Sequence, residues 1–366
     1  MYQTRQRRLI NHLQTEQNMD VALITSPTNI YYYTGFLANP HERFFALAID
    51  TKKDKTMLFL PSLDEQAAKE KAEVTELIPI DDHENAFDKF RDSLGKVDSF
   101  AFEKSHVTVM RFEQIAAYFN NTSFTNIEPF ILSERLTKST KEIDHVKKAI
   151  QITEEGLAHT IPKIALGLTE LQIKAELEYQ LTVLGSDGLA FDTLVLSGEK
   201  SALPHGTAGE RPIQNGDFLL FDFGVNVNGY CSDLTRTFII GEGTEKQSDI
   251  YNTVLAANEK AISQVKVGDE LLNIDRAARD FITLKGYGNY FTHRIGHGLG
   301  LEVHEKPSIH NENKELIQPG MLFTIEPGIY VPKIGGVRIE DNIYITEDGG
   351  VEVLSSYPKK LTYIPI

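Results

Sequence analysis

Two aspartates interrupt apolar strands in the segment 218–240. The asparagine- and glycine-containing sequence between them is typical of a tight turn, which predicts a β-hairpin. A turn centred on the Val227–Asn228 bond would place Asp222 directly opposite Asp233, with Cβ atoms about 4.5–5.5 Å apart. Two ionised carboxylates at that distance repel each other unless a cation lies between them or one takes up a proton. The hairpin therefore indicates a metal site, with turn capping or pairing with an arginine such as Arg236 as the alternative.

Two glutamates and a histidine extend this pattern. Glu326 is predicted to lie in a further apolar strand and Glu340 at the end of another, and buried glutamates are rare unless they are paired or bound to metal. His297 lies in the glycine-rich segment His293–Gly300, where the glycines favour an extended or looping chain over the helix of an HExxH zinc motif. The alternative is a glycine-rich turn with incidental histidines.

The donor set and its charge predict the kind of metal. Four carboxylates balance the charge of two divalent ions, and without metal the same cluster would repel itself. Carboxylates with one imidazole and no thiolate suit Mn²⁺ or Co²⁺ best, with Fe²⁺ and Zn²⁺ as alternatives. Cys231, two residues before Asp233, is interpreted as small filler.

The elements that position these residues fall into two groups. Residues 1–131 alternate short apolar strands with helical stretches, which predicts an α/β domain. The predicted strands are Val21–Ile24, Phe44–Ile49, Met57–Leu60, Val74–Ile78 and Ser99–Glu103, and the predicted helices are 4–18, Ser62–Lys71, Asn85–Leu94 and Thr108–Phe119. The aromatic run Tyr31–Phe36 indicates core or interface packing, with a wall of the active-site cleft as the alternative.

Residues 132–366 have a different order of predicted helices and strands, which predicts an α+β domain. Ser139 and Glu142 form a capping-box pattern that opens a long helix ending near Ile164. The further predicted elements are a helix at Glu170–Leu184, a strand at Asp187–Ser197, the hairpin, helices at Glu245–Val265 and Leu271–Lys285, and a strand-rich run at Met321–Leu354. Helix pairs followed by hairpins occur twice, which hints at an internal duplication.

Composition excludes several classes of partner. The formal net charge of −15 argues against nucleic acid and anionic membrane surfaces, since both require basic patches. The chain has one cysteine, so we expect no disulfide framework and a reducing, cytoplasmic environment. We expect neither a secretory signal nor a membrane-spanning run of about 18 apolar residues.

The motifs around these residues resemble one family in wording and order. They are LPHG at His205, DFG with SDLTRTF at Asp222 and Asp233, HRIGHGLGLEVHE from His293, TIEPGIY at Glu326 and GGVRIEDN at Glu340. The sequence is similar to the pita-bread metallopeptidases of the Xaa-Pro branch, prolidase and aminopeptidase P. NIYYYTGF, near the start, extends the likeness into the N-terminal domain.

The resemblance implies a pita-bread catalytic domain of two pseudo-symmetric halves, with two divalent ions between them, behind a creatinase/prolidase-like α/β domain. It also implies roles for individual residues. The implied metal ligands are Asp222 on one ion, Asp233 and Glu340 bridging both ions, and His297 and Glu326 on the second. The implied catalytic and substrate-binding residues are Glu326 as a proton relay, His205 and His304 at the tetrahedral intermediate or the substrate, and His293 and Arg338 nearby.

The resemblance implies hydrolysis of short proline-containing peptides at the Xaa-Pro bond by a homodimer. A prolidase acting on dipeptides is preferred, and an aminopeptidase P acting on longer chains is the alternative. Compact prolidases tend to have an arginine for the substrate carboxylate where this chain has Ser308. The loop between Phe36 and Phe44 carries His41 and Arg43, which we expect either to bind that carboxylate or to form an ordinary surface connection. A non-catalytic pita-bread binding module is the more distant alternative.

Overall fold

The computed structural model describes residues 1–119 and 122–366, and it divides the chain into two compact units, Met1–Glu134 and Arg135–Ile366. The first unit has one six-stranded sheet in the order β4-β3-β2-β1-β5-β6. Its strands are β1 (Val21–Ile24), β2 (Ala46–Asp50), β3 (Lys55–Pro61), β4 (Glu76–Ile80), β5 (Ser99–Phe102) and β6 (Ser123–Asn126). Its helices are α1 (Tyr2–His12), α2 (Pro27–Thr34), α3 (Glu65–Lys71), α4 (Ala86–Leu94), α5 (Val109–Tyr118) and α6 (Glu128–Leu136), which crosses the division.

The predicted elements of the first unit are present with shifted ends. The predicted helix 4–18 is regular only as far as His12, after which Leu13–Gln17 forms a π-helical turn. β4 begins at Glu76, two residues later than predicted, and Thr75 before it is joined to Thr56 by four hydrogen bonds that involve side-chain and backbone groups. The tyrosines of the predicted aromatic run lie in α2, where Tyr32 and Tyr33 are buried.

The second unit contains four small sheets. Its helices are α7 (Thr140–Thr160), α8 (Glu170–Val183), α9 (Glu245–Ser263) and α10 (Leu272–Leu284). Its first strands are β7 (Gly188–Leu189), β8 (Leu194–Ser197), β9 (Phe218–Phe223), β10 (Val225–Val227), β11 (Tyr230–Cys231) and β12 (Leu234–Ile240). The later strands are β13 (Gly296–Gly298), β14 (Glu305–Ile309), β15 (Leu322–Ile325), β16 (Gly328–Val331), β17 (Gly335–Arg338), β18 (Asp341–Ile345), β19 (Val351–Val353) and β20 (Tyr363–Ile364).

Each helix pair of this unit packs with the strands that follow it. One apolar core joins α7 and α8 to β8, β9 and β12, and a second joins α9 and α10 to β15 through β18. The helices begin where the sequence predicts, since the capping box of Ser139 and Glu142 is formed and Thr169 and Thr244 cap the next two helices in the same way. The two cores provide rigid strands on which polar side chains can be held.

The hairpin pairs in a different register from the predicted one. Asp222 lies opposite Thr235, and Phe223 lies opposite Leu234. The turn is centred on Asn228 and Gly229, which have φ values of 49° and 78°, and two successive left-handed residues make the type I′ turn that hairpins favour. The prediction that Asp222 faces Asp233 directly is therefore wrong. Asp233 lies two residues before Thr235, the partner of Asp222, so the two aspartates are diagonal rather than directly opposite.

Candidate metal centre

The carboxylates that interrupt apolar stretches lie mostly at strand breaks rather than within strands. Asp222 is in β9, but Asp233 lies between β11 and β12, Glu326 between β15 and β16, and Glu340 between β17 and β18. At a break the backbone can turn one side chain away from the regular alternation, so four strands can direct carboxylates to one point. The prediction that all four carboxylates lie within strands is correct only for Asp222.

These breaks surround one cavity of about 540 Å³ in the second unit. It brings together nine of the ten predicted site residues. Those that line it are His205, Asp222, Asp233, His293, His297, His304, Glu326, Arg338 and Glu340. Residues far apart in the sequence thus meet at one site.

Three of these residues offer ligand atoms at metal-binding spacing. One ligand atom each from Asp233, His297 and Glu340 lies within 4.8 Å of the others, and all three residues are buried. His297 Nε2 also lies 3.5 Å from Asp233 Oδ2 and 3.3 Å from Glu326 Oε1. One imidazole nitrogen therefore faces two carboxylates.

The other nitrogen of His297 is engaged by the backbone. Nδ1 lies 3.1 Å from the carbonyl oxygen of Gly298, a carbonyl that accepts a hydrogen bond from an Nδ1–H group. With Nδ1–H held in this way, Nε2 faces the carboxylates. It donates a hydrogen bond to Glu326 when it is protonated, and it offers its lone pair to a metal ion when it is not. In addition, Asp233 Oδ1 is buried without a hydrogen-bond partner among the described residues. A divalent cation fits this donor set, because it satisfies both the lone pair and the orphaned oxygen.

Burial and mutual repulsion disfavour the charged form of three carboxylates. Burial, followed by the charges of Glu340 and Asp222, raises the pKa of Asp233 well above its ordinary value. Burial, with Glu326 and Asp222, likewise raises the pKa of Glu340. Burial also raises the pKa of Asp222, although Arg338 opposes it. Among the described residues, Arg338 beside Asp222 is the one lysine or arginine paired with these three carboxylates, so a bound cation would favour their charged forms.

Glu326 differs from the other three. Burial favours its neutral form, but the hydrogen bond and charge of His297 outweigh it and lower the pKa of Glu326 to about 2. Its Oε1 also lies 3.4 Å from the hydroxyl of Thr324, which donates to it. Glu326 therefore stays a carboxylate, as a metal ligand or a proton acceptor requires.

A hydrogen-bonded chain supports the Asp222 side of the cavity. Arg338 donates to Asp222 and, at 2.7 Å, to the hydroxyl of Tyr330. The same hydroxyl lies 2.9 Å from His293 Nε2, and Arg338 Nε donates to Thr235 Oγ1 at 3.0 Å. Pairing with an arginine thus applies to Asp222, but the partner is Arg338, whereas Arg236 pairs with Asp341. Our sequence reasoning missed Tyr330, which stands four residues after Glu326 in a quoted motif.

His304 and His205 also line the cavity, and both residues are exposed. The rings of His304 and His297 make an edge-to-face contact with centroids 4.2 Å apart. Burial and the neighbouring imidazole and guanidinium charges lower the pKa of His304 to about 4. His304 is therefore neutral near pH 7, and its N–H group can donate to a polarised oxygen.

Arg294 also lines the cavity, and our sequence reasoning overlooked it. Its Nη1 donates to Ser308 Oγ at 3.1 Å, which directs the guanidinium towards the position where compact prolidases tend to have an arginine. Within the described part of the chain, no carboxylate pairs with Arg294. The apolar side chains of Phe191, Leu194 and Val303 line the same cavity. The cavity thus offers an unpaired cation and an apolar wall beside the carboxylates.

His41 is the one predicted site residue that does not line this cavity. It lies in the first unit, in a turn where its φ is 54° and its backbone N–H donates to Asn39. Arg43, on the same loop, is paired with Asp82 at 2.8 Å. The expected role of His41 at the substrate remains a prediction.

Comparison with known proteins identifies the family of this chain. A family model described as "Metallopeptidase family M24" matches residues 144–347, and "Creatinase/Prolidase N-terminal domain" matches residues 5–137. An uncharacterized peptidase from Staphylococcus aureus strain MW2 is 41% identical over 353 residues, which are 96% of this chain and 99% of the relative. The predicted two-domain architecture and the predicted family resemblance are confirmed. No helix in residues 1–119 and 122–366 is both long enough and apolar enough to cross a membrane.

Two solved structures are similar over nearly the whole chain. An Xaa-Pro dipeptidase from Bacillus anthracis has a TM-score of 0.91 and 34% identity, and the match covers 99% of this chain and 100% of that one. An X-Pro aminopeptidase from Thermotoga maritima has a TM-score of 0.90 and 33% identity, with 98% and 100% covered. The fold is thus common to structures with both names.

Proposed function

Because the chain belongs to metallopeptidase family M24, we propose that it is an Xaa-Pro dipeptidase that uses two divalent ions, Mn²⁺ or Co²⁺. The proposed ligands are Asp222, Asp233, His297, Glu326 and Glu340. Divalent ions held by these side chains would supply a water of lowered pKa as nucleophile and would polarise the peptide carbonyl.

The chain's own residues then have separate tasks. Glu326, a carboxylate within hydrogen-bond distance of His297, accepts the proton that leaves the attacking water and passes it to the proline nitrogen. His304 and His205 donate hydrogen bonds to the oxygen on which charge develops. Arg338 keeps Asp222 in place, while His293, held by Tyr330, faces the substrate.

The preference for dipeptides rests on Arg294, which lines the cavity without a carboxylate partner among the described residues. An unpaired guanidinium in a half-buried position costs free energy unless an anion meets it. The proline carboxylate of a dipeptide is such an anion, and it ends at a fixed distance beyond the scissile bond. We infer that Arg294 binds the substrate carboxylate. Compact prolidases tend to use for this an arginine at the position where this chain has Ser308.

Ser308 also supports a second candidate, an aminopeptidase P that accepts longer peptides. If Arg294 does not recognise a terminal carboxylate, the cavity lacks a cation that would select for dipeptides. The loop of His41 and Arg43 would then be the remaining candidate, although Arg43 is already paired with Asp82.

The test is the substitution Arg294→Met, which keeps the length of the side chain and removes its charge. We expect kcat/KM for an Xaa-Pro dipeptide to fall by roughly 10- to 100-fold, the scale of one charged hydrogen bond. For the C-terminal amide of the same dipeptide we expect a change below about 3-fold, because no carboxylate is present. Kinetic assays of the Mn²⁺-loaded protein with both substrates measure the difference.

The matched control is Arg276→Met, since Arg276 is an exposed arginine on α10 that donates to a backbone carbonyl. It should change neither rate constant. Equal losses on dipeptide and amide after Arg294→Met would reject carboxylate recognition by Arg294. Faster cleavage of an Xaa-Pro-Xaa tripeptide than of the dipeptide by the parent protein would favour aminopeptidase P.

A further inference from the structure

An ion cluster in which three of the four side chains are buried and Glu302 is exposed lies next to His304 in the chain. It consists of Arg135, Lys138, Glu302 and Glu305, and all four residues belong to the second unit. None of the four lines the cavity, whereas Val303 and His304, between the two glutamates, do. The same short segment thus contributes to the cavity and to the ion cluster.

The contacts in the cluster converge on Glu305. Lys138 Nζ donates to Glu305 Oε1 at 2.6 Å, and Arg135 donates to Glu305 Oε2. Arg135 also donates to Glu302 Oε2 at 2.8 Å, and Lys138 donates to the carbonyl oxygen of Arg135 at 2.8 Å. The Glu305 side chain is 3% exposed and that of Lys138 is 2% exposed. Burying these charges carries a large desolvation cost, so the cluster requires an explanation beyond stability.

The cluster also fixes the segment that precedes His304. A Cβ on Gly300 would lie 2.5 Å from Glu305 Oε1 and 2.9 Å from Lys138 Cε, so the backbone at 300 packs tightly against the ion pair. The carbonyl of Gly300 accepts a hydrogen bond from the backbone N–H of Cys231 at 2.7 Å. Cys231 stands two residues before Asp233, which connects the cluster to the hairpin of the metal centre.

We propose that Arg135 and Lys138 are positioning residues that act through Glu305 to hold His304 at the cavity. His304 directly precedes Glu305, the first residue of β14. Anchoring the Glu305 side chain therefore fixes the peptide unit that joins it to His304, and this limits where the His304 ring can lie at the cavity. This inference rests on the proposed role of His304 in hydrolysis.

The test is a double-mutant cycle of Lys138→Met and His304→Ala in the full-length, Mn²⁺-loaded protein. We expect Lys138→Met to lower kcat by about 10-fold while metal content stays unchanged, because His304 loses its fixed position. In the His304→Ala background the same change should lower kcat by less than about 2-fold, since the group being positioned is gone. A purely structural role would give the same loss in both backgrounds and would overturn the proposal.

Two further variants complete the design. Lys147→Met removes a lysine from an exposed ion pair with Glu352 in the same unit, and it should alter kcat in neither background. If Lys138→Met does not fold, Glu305→Gln takes its place in the cycle, because it removes the charge and keeps the shape.

A readout independent of activity separates this proposal from the proposed function. In protein with labelled histidines, the His304 ring resonances are assigned by their loss in His304→Ala. Lys138→Met should shift or broaden them and leave those of His205 unchanged. Unchanged His304 resonances would overturn the positioning role, even with Xaa-Pro cleavage intact. Altered resonances without Xaa-Pro cleavage by the parent protein would support it and reject the proposed substrate instead. If His304→Ala leaves turnover unchanged, the role of His304 and the positioning inference both fail.

Discussion

Glu340 and Asp341 are neighbours in the sequence with opposite electrostatic surroundings. Both are buried, with 1% and 0% of the residue exposed. Asp341 is paired on one oxygen with Arg236 at 2.9 Å and on the other with Lys359 at 2.8 Å. Glu340 faces the cavity, where a hydroxyl of Thr235 donates to it at 2.8 Å and the nearest ionisable groups include Asp233 and His297.

Buried carboxylates outside the cavity are neutralised by cations of this chain. Asp341 has two cationic partners, and Glu305 has Arg135 and Lys138. In the cavity, by contrast, four carboxylates share one paired guanidinium, that of Arg338. Since an unbalanced buried charge is strongly unfavourable, the cluster must either take up protons or bind positive charge from outside the described residues. The family membership identifies its source as divalent metal.

Removing that external charge should produce the largest effect. We expect chelation to abolish peptidase activity and Mn²⁺ or Co²⁺ to restore it, because the nucleophile depends on the ions. Chelation should also lower the melting temperature, since ions that bind only the folded state stabilise it. Calorimetry and a peptidase assay before and after chelation test this prediction. Full activity in rigorously metal-free protein would contradict it.

In chelated protein, removing the charge of Asp341 and removing that of Asp233 should have different effects on the free energy of unfolding. Asp341→Asn leaves Arg236 and Lys359 without their carboxylate, and we expect a loss of about 3–5 kcal/mol in the free energy of unfolding. Asp233→Asn removes one of several repelling carboxylates, and we expect no loss or a small gain. Urea unfolding of both variants measures the difference. Similar destabilisation by both would mean that the cavity carboxylates do not repel one another.

The proposed carboxylate ligands could be recognised in the sequence because each is a charged residue in an otherwise apolar stretch. Asp222, Asp233, Glu326 and Glu340 all stand out in this way, and the structure places them in one cavity. The pairing register of the hairpin that carries Asp222 and Asp233 was harder to predict. Asn and Gly in the turn allowed more than one centre, and a shift by one residue in the centre changes every cross-strand pair.

Residues whose role depends on distant partners could not be found from local patterns. Lys138 and Glu305 are 167 positions apart, and no spacing rule connects them. Arg294 lies inside a quoted motif, but its importance follows from the lack of an acidic partner, which only a structure shows. Ser308 was noted as a departure, whereas the hydrogen bond from Arg294 that offsets it was not foreseen.

The smallest predicted effect is on how the free energy of unfolding changes at acid pH, and it concerns the ion pairs of Glu305. Burial alone would raise the pKa of Glu305, but the charges of Lys138 and Arg135 outweigh it and lower that pKa below its ordinary value. A carboxyl with a depressed pKa in the folded state stabilises the fold above its unfolded pKa, and the contribution is lost as pH falls through the folded pKa. Lys138→Met should bring the folded pKa closer to the unfolded value, so less stability is lost on acidification.

Unfolding free energies measured at intervals from pH 7 to pH 3 test this expectation. The curve of Lys138→Met should lie below that of the parent near neutrality and approach it at the acid end, because Glu305 is protonated in both proteins there. Lys147→Met, which affects the exposed pair with Glu352, should run parallel to the parent throughout. A constant offset between Lys138→Met and the parent across the whole range would show that Lys138 contributes packing rather than charge. In that case Arg135 alone would lower the pKa of Glu305. Glu305 would then need only one of its two cationic partners.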